Sequence, residues 1–199
     1  DIKEKKKDIK LHMIGKLQSN KVKQAVGIFD FIHSVDSVKL AKKISDEEKK
    51  QNKKIKLHLI GRLQTNKVKL ALNLFDYIHS LDSEKLANKI SKVQNEINVN
   101  TKMFIQVNIG NEIQKSGIPE DEVLSFYNYC KSLKLDVIGL MCIPPLNEET
   151  SKYFLKMNEI NKKLKLNELS MGMSTDYLEA IENNATFIRI GSSIFGQRS

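Results

Sequence analysis

The stretch IKLHLIGRLQTNKVKLALNLFDYIHSLDSEKLANKIS, residues 55–91, decides how this chain is read, because residues 9–45, IKLHMIGKLQSNKVKQAVGIFDFIHSVDSVKLAKKIS, nearly repeat it. His12 aligns with His58, an offset of 46 residues, and the changes are mild: Met13 against Leu59, Lys16 against Arg62, Phe31 against Tyr77. A period of this length usually marks a repeat architecture. Two copies are too few for a solenoid, so the repeat reads as a duplicated supersecondary unit. Each copy parses as strand, helix, strand, helix. KLHLIG is a short apolar run closed by Gly61, as in a buried parallel strand. Thr65 or Asn66 then caps a helix through NKVKLALNLF, and DYIHSLDS supplies the second strand. Ser83 caps a second helix in which Leu86, Ile90, Val93 and Ile97 recur at helical spacing. The seam between the copies is expected in DEEKKQNKKIK, residues 46–56.

The alternation continues to the end of the chain. Strands are expected at residues 102–110, 136–144 and 168–174, with a last strand and turn at 186–196, and helices at 119–133, 148–164 and 176–184. Pro119 and the acids behind it suit a helix start, and Pro144 with Pro145 stops the strand before them. Eight strands, near residues 10, 30, 56, 76, 103, 137, 168 and 187, give an α/β chain expected to form a compact (β/α)8 TIM-type barrel. A doubly wound open sheet is the alternative. No Pro/Gly/Ser-rich linker divides residues 1–199, so one domain is expected. The missing initiator Met suggests that the chain starts within a longer parent sequence.

Composition narrows the function. At 40% hydrophobic and 29% charged residues, the chain is globular in character. It has no apolar run of membrane-spanning length and no apolar signal core, so a soluble, cytoplasmic protein without membrane contact is expected. Cys130 and Cys142 lack disulfide-framework or metal-ligand spacing and are expected as buried, reduced thiols. The net charge of +9 is almost all lysine, spread among Asn, Ile and Glu, with arginine only at 62, 189 and 198. Such a pattern fits solvated helix faces better than a specific nucleic-acid surface. His12, His58, His33 and His79 are two independent positions seen twice, expected to make structural hydrogen bonds at strand ends. Asp36, Asp82 and Asp176 are expected mainly as helix caps.

In a barrel the functional groups sit at the C-terminal ends of the strands. SMGMS puts Ser170, Gly172 and Ser174 at one such end, and RIGSS puts Gly191, Ser192 and Ser193 at the next. Glycine lets a backbone approach an anion, and hydroxyls with free N–H groups bind phosphate. Arg189 stands inside an apolar strand, where a cation is costly without an anion or a fixed acceptor. It reads as either a structural ion pair or a ligand contact.

HxIGxLQxNK, IHSVDS, QVNIGNExxKSG, GLMxIPP, LSMGMSxD and IRIGxxIFG, in this order across nearly the whole chain, resemble the pyridoxal 5'-phosphate (PLP) homeostasis proteins. These are single-domain barrels related to the N-terminal domain of alanine racemase. The resemblance implies a non-catalytic PLP carrier or regulator, expected to be a monomer. It implies that Ser174, Gly191 and Ser192 hold the cofactor phosphate, with Gly172 and the Met173 backbone beside it. Arg189 then approaches the pyridine nitrogen and keeps it unprotonated, which weakens the cofactor as an electron sink. The AVSK-like motif that carries the family's cofactor-attaching lysine, and the GENY-like motif after it, do not occur in this sequence; the extra repeat copy stands in their place. Lys16, at the end of the first strand, is the candidate replacement, although Arg62 holds the same place in the second copy. A racemase-like PLP enzyme and a basic nucleic-acid-binding module are the competing readings.

Overall fold

The computed structural model describes residues 12–13, 17–32, 38–146 and 148–190, which group into two compact units, Asp1–His58 and Leu59–Ser199. In the first unit β1 (His12–Met13), α1 (Val22–Ile28), β2 (Phe31–Ile32) and α2 (Val38–Gln51) lead to β3 (Lys56–Leu59), whose last residue opens the second unit. β1 pairs with β2 and β2 with β3, both parallel, with His12 opposite Phe31 and Phe31 opposite Lys56.

The second unit continues with α3 (Val68–Leu74), β4 (Tyr77–Leu81), α4 (Glu84–Ile97), β5 (Lys102–Asn108), β6 (Ile118–Pro119) and α5 (Val123–Ser132). It closes with β7 (Val137–Cys142), α6 (Ser151–Lys163), β8 (Glu168–Met173), α7 (Tyr177–Glu182) and β9 (Phe187–Arg189). All pairings are parallel: β4 to β5, β5 to β7, β7 to β8, β8 to β9, with β6 added at the end of β5. Parallel strands joined through helices bury both faces, which accounts for the apolar run MFI in β5 and VIGLMC in β7. Gly139 of β7 is required by this packing, since a Cβ there would fall 2.0 Å from the Glu168 carbonyl oxygen of β8.

The duplicated sequence folds twice into the same local structure. α1 and α3 have seven residues each and bury Val22, Ala25 and Val26 in one copy and Val68, Ala71 and Leu72 in the other. The strand-opening N–H groups of Lys56 and Lys102 reach the carbonyls of Asp30 and Asp76. The expected seam is not a linker. α2 runs through it to Gln51, and its 14 residues match the 14 of α4. Both helices then turn on a left-handed asparagine, Asn52 at φ 49° and Asn98 at φ 52°, a conformation that asparagine tolerates. The structural repeat therefore extends past the repeated text.

Three local expectations are corrected. Thr65 and Asn66 do not cap α3; a 3-10 turn, Thr65–Lys67, precedes it, and the residue before that turn, Gln64, makes no side-chain cap. Asp176 does not cap α7 with its side chain. The helix expected at 119–133 opens with a 3-10 turn, Glu120–Glu122, before α5. Ser83 does cap α4, accepting from the Leu86 N–H at 3.4 Å.

Ile44 and Ile90 occupy the same place in the two copies, at 1% and 0% exposure. Truncating either to alanine removes a fully packed side chain and is expected to cost about 2–5 kcal/mol in urea unfolding. Lys43→Ala and Lys89→Ala, on the exposed faces beside them, are expected to stay within about 0.5 kcal/mol of the parent.

Candidate functional site

The ends of β7, β8 and β9 meet around one buried cation. Arg189 closes β9 at 7% exposure and donates from Nη1 to Ser170 Oγ at 2.8 Å and from Nη2 to the Cys142 carbonyl at 2.9 Å. Both terminal nitrogens are thus fixed by neutral oxygens from two neighbouring strands. These hydrogen bonds are not the structural ion pair that an arginine in this strand suggested. Burial lowers the Arg189 pKa from its ordinary value, against the nearby Cys142 and Asp176, which raise it. A guanidinium remains charged under such conditions. Ser170 Oγ also lies 2.9 Å from His79 Nδ1 of β4, and both side chains are fully buried. The His79 ring stacks on Phe104 of β5 at 4.2 Å and meets Phe187 of β9 edge-on at 5.9 Å.

The turn after β8 carries the small residues. Gly172 has φ +91°, and a Cβ there would meet Ala180 Cβ of α7 at 2.6 Å, so glycine is needed both for the backbone and for the approach of α7. Ser174 follows half-buried. The Met173 N–H, a candidate phosphate donor, is taken by Asp176 Oδ1 at 2.6 Å. Lys16, Gly191 and Ser192 lie outside the described residues, as do His33 and Asp36.

A cleft of about 360 Å³ opens beside the arginine's carbonyl partner, lined by Met141 and Ile143 on either side of Cys142 and by Gln106, Asn108, Lys115 and Ser116. The loop from β5 to β6 is strapped over this edge. Lys115 Nζ donates to the Pro144 carbonyl at 3.0 Å and pairs with Glu112, while Gln106 Nε2 donates to the Ser116 carbonyl at 2.9 Å. Sequence reasoning missed this strap, whose only textual sign was the polar KSG after β5.

The groups at the strand ends suit an anion: a half-buried hydroxyl on a glycine-shaped turn, a fixed guanidinium and an adjoining polar cleft. Residues 59–199 match the family described as alanine racemase, N-terminal domain. Over 201 aligned residues the chain is 39% identical to a pyridoxal phosphate homeostasis protein of Aquifex aeolicus, covering 96% of this chain and 68% of that protein. The chain belongs to this family. Among solved structures, PipY of Synechococcus elongatus without PLP superposes with a TM-score of 0.77 at 26% identity, covering 94% of this chain and 93% of PipY. PipY with PLP bound gives 0.75 at 24% identity and 98% of both chains, a likeness of fold. The family's fold is the TIM-like (β/α) barrel type, so the barrel expected from the alternating text stands and the doubly wound sheet falls. The chain spans about two thirds of the length of the homeostasis proteins it matches, 68% and 66% for two of them. No helix among the described residues is long and apolar enough to cross a membrane.

Ser170→Ala leaves the buried Arg189 without its Nη1 acceptor and is expected to cost about 2–3 kcal/mol in chemical unfolding. Burial pushes the Cys142 thiol up to about 12 from 9.0. Below 9 the thiol is neutral in folded and unfolded chains alike; above it only the unfolded chain ionises. Stability is therefore expected to fall as pH rises from 9 toward 12, less so in Cys142→Ala. Unfolding monitored across that range checks the sign.

Proposed function

We propose that this chain binds pyridoxal 5'-phosphate and serves in its homeostasis as a non-catalytic carrier or regulator. The observation that carries the reading is Arg189, a buried cation held between Ser170 and the Cys142 carbonyl at the strand ends. The named relatives, homeostasis proteins at up to 39% identity, support it, as does the PLP-bound PipY of similar fold. Ser174, with Gly172 and Met173 shaping its turn, would hold the phosphate together with Gly191 and Ser192. Arg189 would meet the pyridine nitrogen. PLP, when bound to enzymes, supplies an electron sink for amino-acid chemistry. A guanidinium has only donors, so it leaves the ring nitrogen unprotonated and weakens that sink. Arg189 thus suits holding the cofactor, and a racemase-like role would further need an attachment lysine and a second acid/base residue on the opposite cofactor face.

Reversible, noncovalent binding is the form proposed for the given residues, with Lys16 a candidate for attachment. The domain reading remains a single PLP-binding barrel, residues 1–199. A cytoplasmic monomer without specific nucleic-acid binding completes the proposal, since lysine spread over helix faces makes no arginine stripe.

Titrating PLP into the purified chain is expected to give a saturable absorbance change that dialysis abolishes and that Arg189→Met weakens by about tenfold or more. Racemisation of alanine is expected at the buffer rate. A flat titration would overturn the binding reading, and rapid racemisation the non-catalytic one.

A further inference from the structure

We infer that His79 is a positioning residue that sets the aim of Arg189 through Ser170, an assignment that rests on the PLP reading for its functional meaning. A guanidinium carries donors only, so in the 2.8 Å contact Ser170 Oγ must accept from Arg189 Nη1. The single hydroxyl proton of Ser170 then has His79 Nδ1 at 2.9 Å as its acceptor. A protonated His79 would set a second cation beside Arg189 within a fully buried pair of side chains, at a large desolvation cost. His79 is therefore neutral, and its proton is assigned to Nε2, which leaves Nδ1 to accept the Ser170 hydroxyl proton.

The ring is well placed to hold that state. It is clamped flat on Phe104, at 4.2 Å and 13°, and edged by Phe187, so its Nδ1 direction is fixed by packing. Fixing Nδ1 fixes the Ser170 hydroxyl proton, which turns the oxygen's lone pairs toward Arg189. The Cys142 carbonyl holds the other terminal nitrogen at 2.9 Å. The guanidinium plane is thereby set by three strands, β4 through His79, β7 through Cys142 and β8 through Ser170. A ligand's ring nitrogen would meet a preset donor, with no reorganisation cost on binding. The HSLDS text after Tyr77, otherwise unexplained by the proposed function, gains a role at its histidine.

The test has a ligand-free arm and a ligand-bound arm. In the full chain without PLP, 15N NMR of the His79 ring at pH 7.5 is expected to show Nδ1 unprotonated and Nε2 protonated. With ring-15N-labelled PLP, the parent and His79→Asn, whose amide oxygen can replace Nδ1 as acceptor, are expected to give the same pyridine signal and similar affinity. His79→Phe keeps the stack on Phe104 but offers no acceptor. It is expected to bind PLP about tenfold more weakly, with the pyridine signal moved toward that of free PLP. A proton on Nδ1 would overturn the assignment, as would His79→Phe binding PLP with the parent's signal and affinity. If the parent leaves the labelled PLP unshifted, the PLP reading fails, and the positioning role with it, whatever the tautomer; a shifted parent with an indifferent His79→Phe overturns the positioning role alone.

Discussion

A guanidinium buried at the end of a parallel strand must find oxygen acceptors or leave water at prohibitive cost, and the second unit is organised around meeting that demand for Arg189. Its two acceptors come from β7 and β8, and the register of those strands brings them to it: Met173 lies opposite Arg189 and Leu140 opposite Leu169. A one-residue slip in either pairing would carry Ser170 to the other face of the sheet. Gly139, which lets β8 lie close against β7, and Gly172, which lets α7 close on β8, serve the same geometry. Neutral acceptors leave the full positive charge in place for a ligand, where a carboxylate partner would have cancelled it.

The duplication shows how local sequence can specify local structure while leaving function open. Two copies with different seams, DEEKKQ and KVQNEI, build helices of equal length that end on equivalent asparagines. Helical propensity and a buried stripe of Leu40 and Ile44, matched by Leu86 and Ile90, suffice for that. The text of the copies differs only mildly even where a cation is kept, as with Lys16 in one and Arg62 in the other. A βαβα unit can thus be copied as a folding module.

Most of the strand plan was legible because short apolar runs alternate with amphipathic helices, and the text alone places every long strand. The two-residue β6 was not legible, since Ile118–Pro119 has no alternation and exists only through its pairing with the end of β5. Helix starts at Thr65 and Glu120 were misread because a 3-10 turn replaces a side-chain cap, a choice made by backbone geometry that leaves no mark in residue type. Of the site, Arg189 and the small residues of SMGMS announced themselves by being out of place in apolar strands. Their pairing did not: His79 and Ser170 stand 91 positions apart, and only the fold joins them. Asp176 read as a cap because it precedes a helix; instead its carboxylate turns back to the Met173 N–H.

The central claim is that one set of strand ends holds PLP, phosphate at the Ser174 turn and ring nitrogen at Arg189. The most direct measurement is a crystal structure of the full chain grown with PLP. The account predicts phosphate density against Ser174 and the pyridine nitrogen within hydrogen-bond distance of the Arg189 guanidinium. Cofactor density elsewhere on the chain, or an Arg189 turned away from a bound pyridine ring, would contradict it.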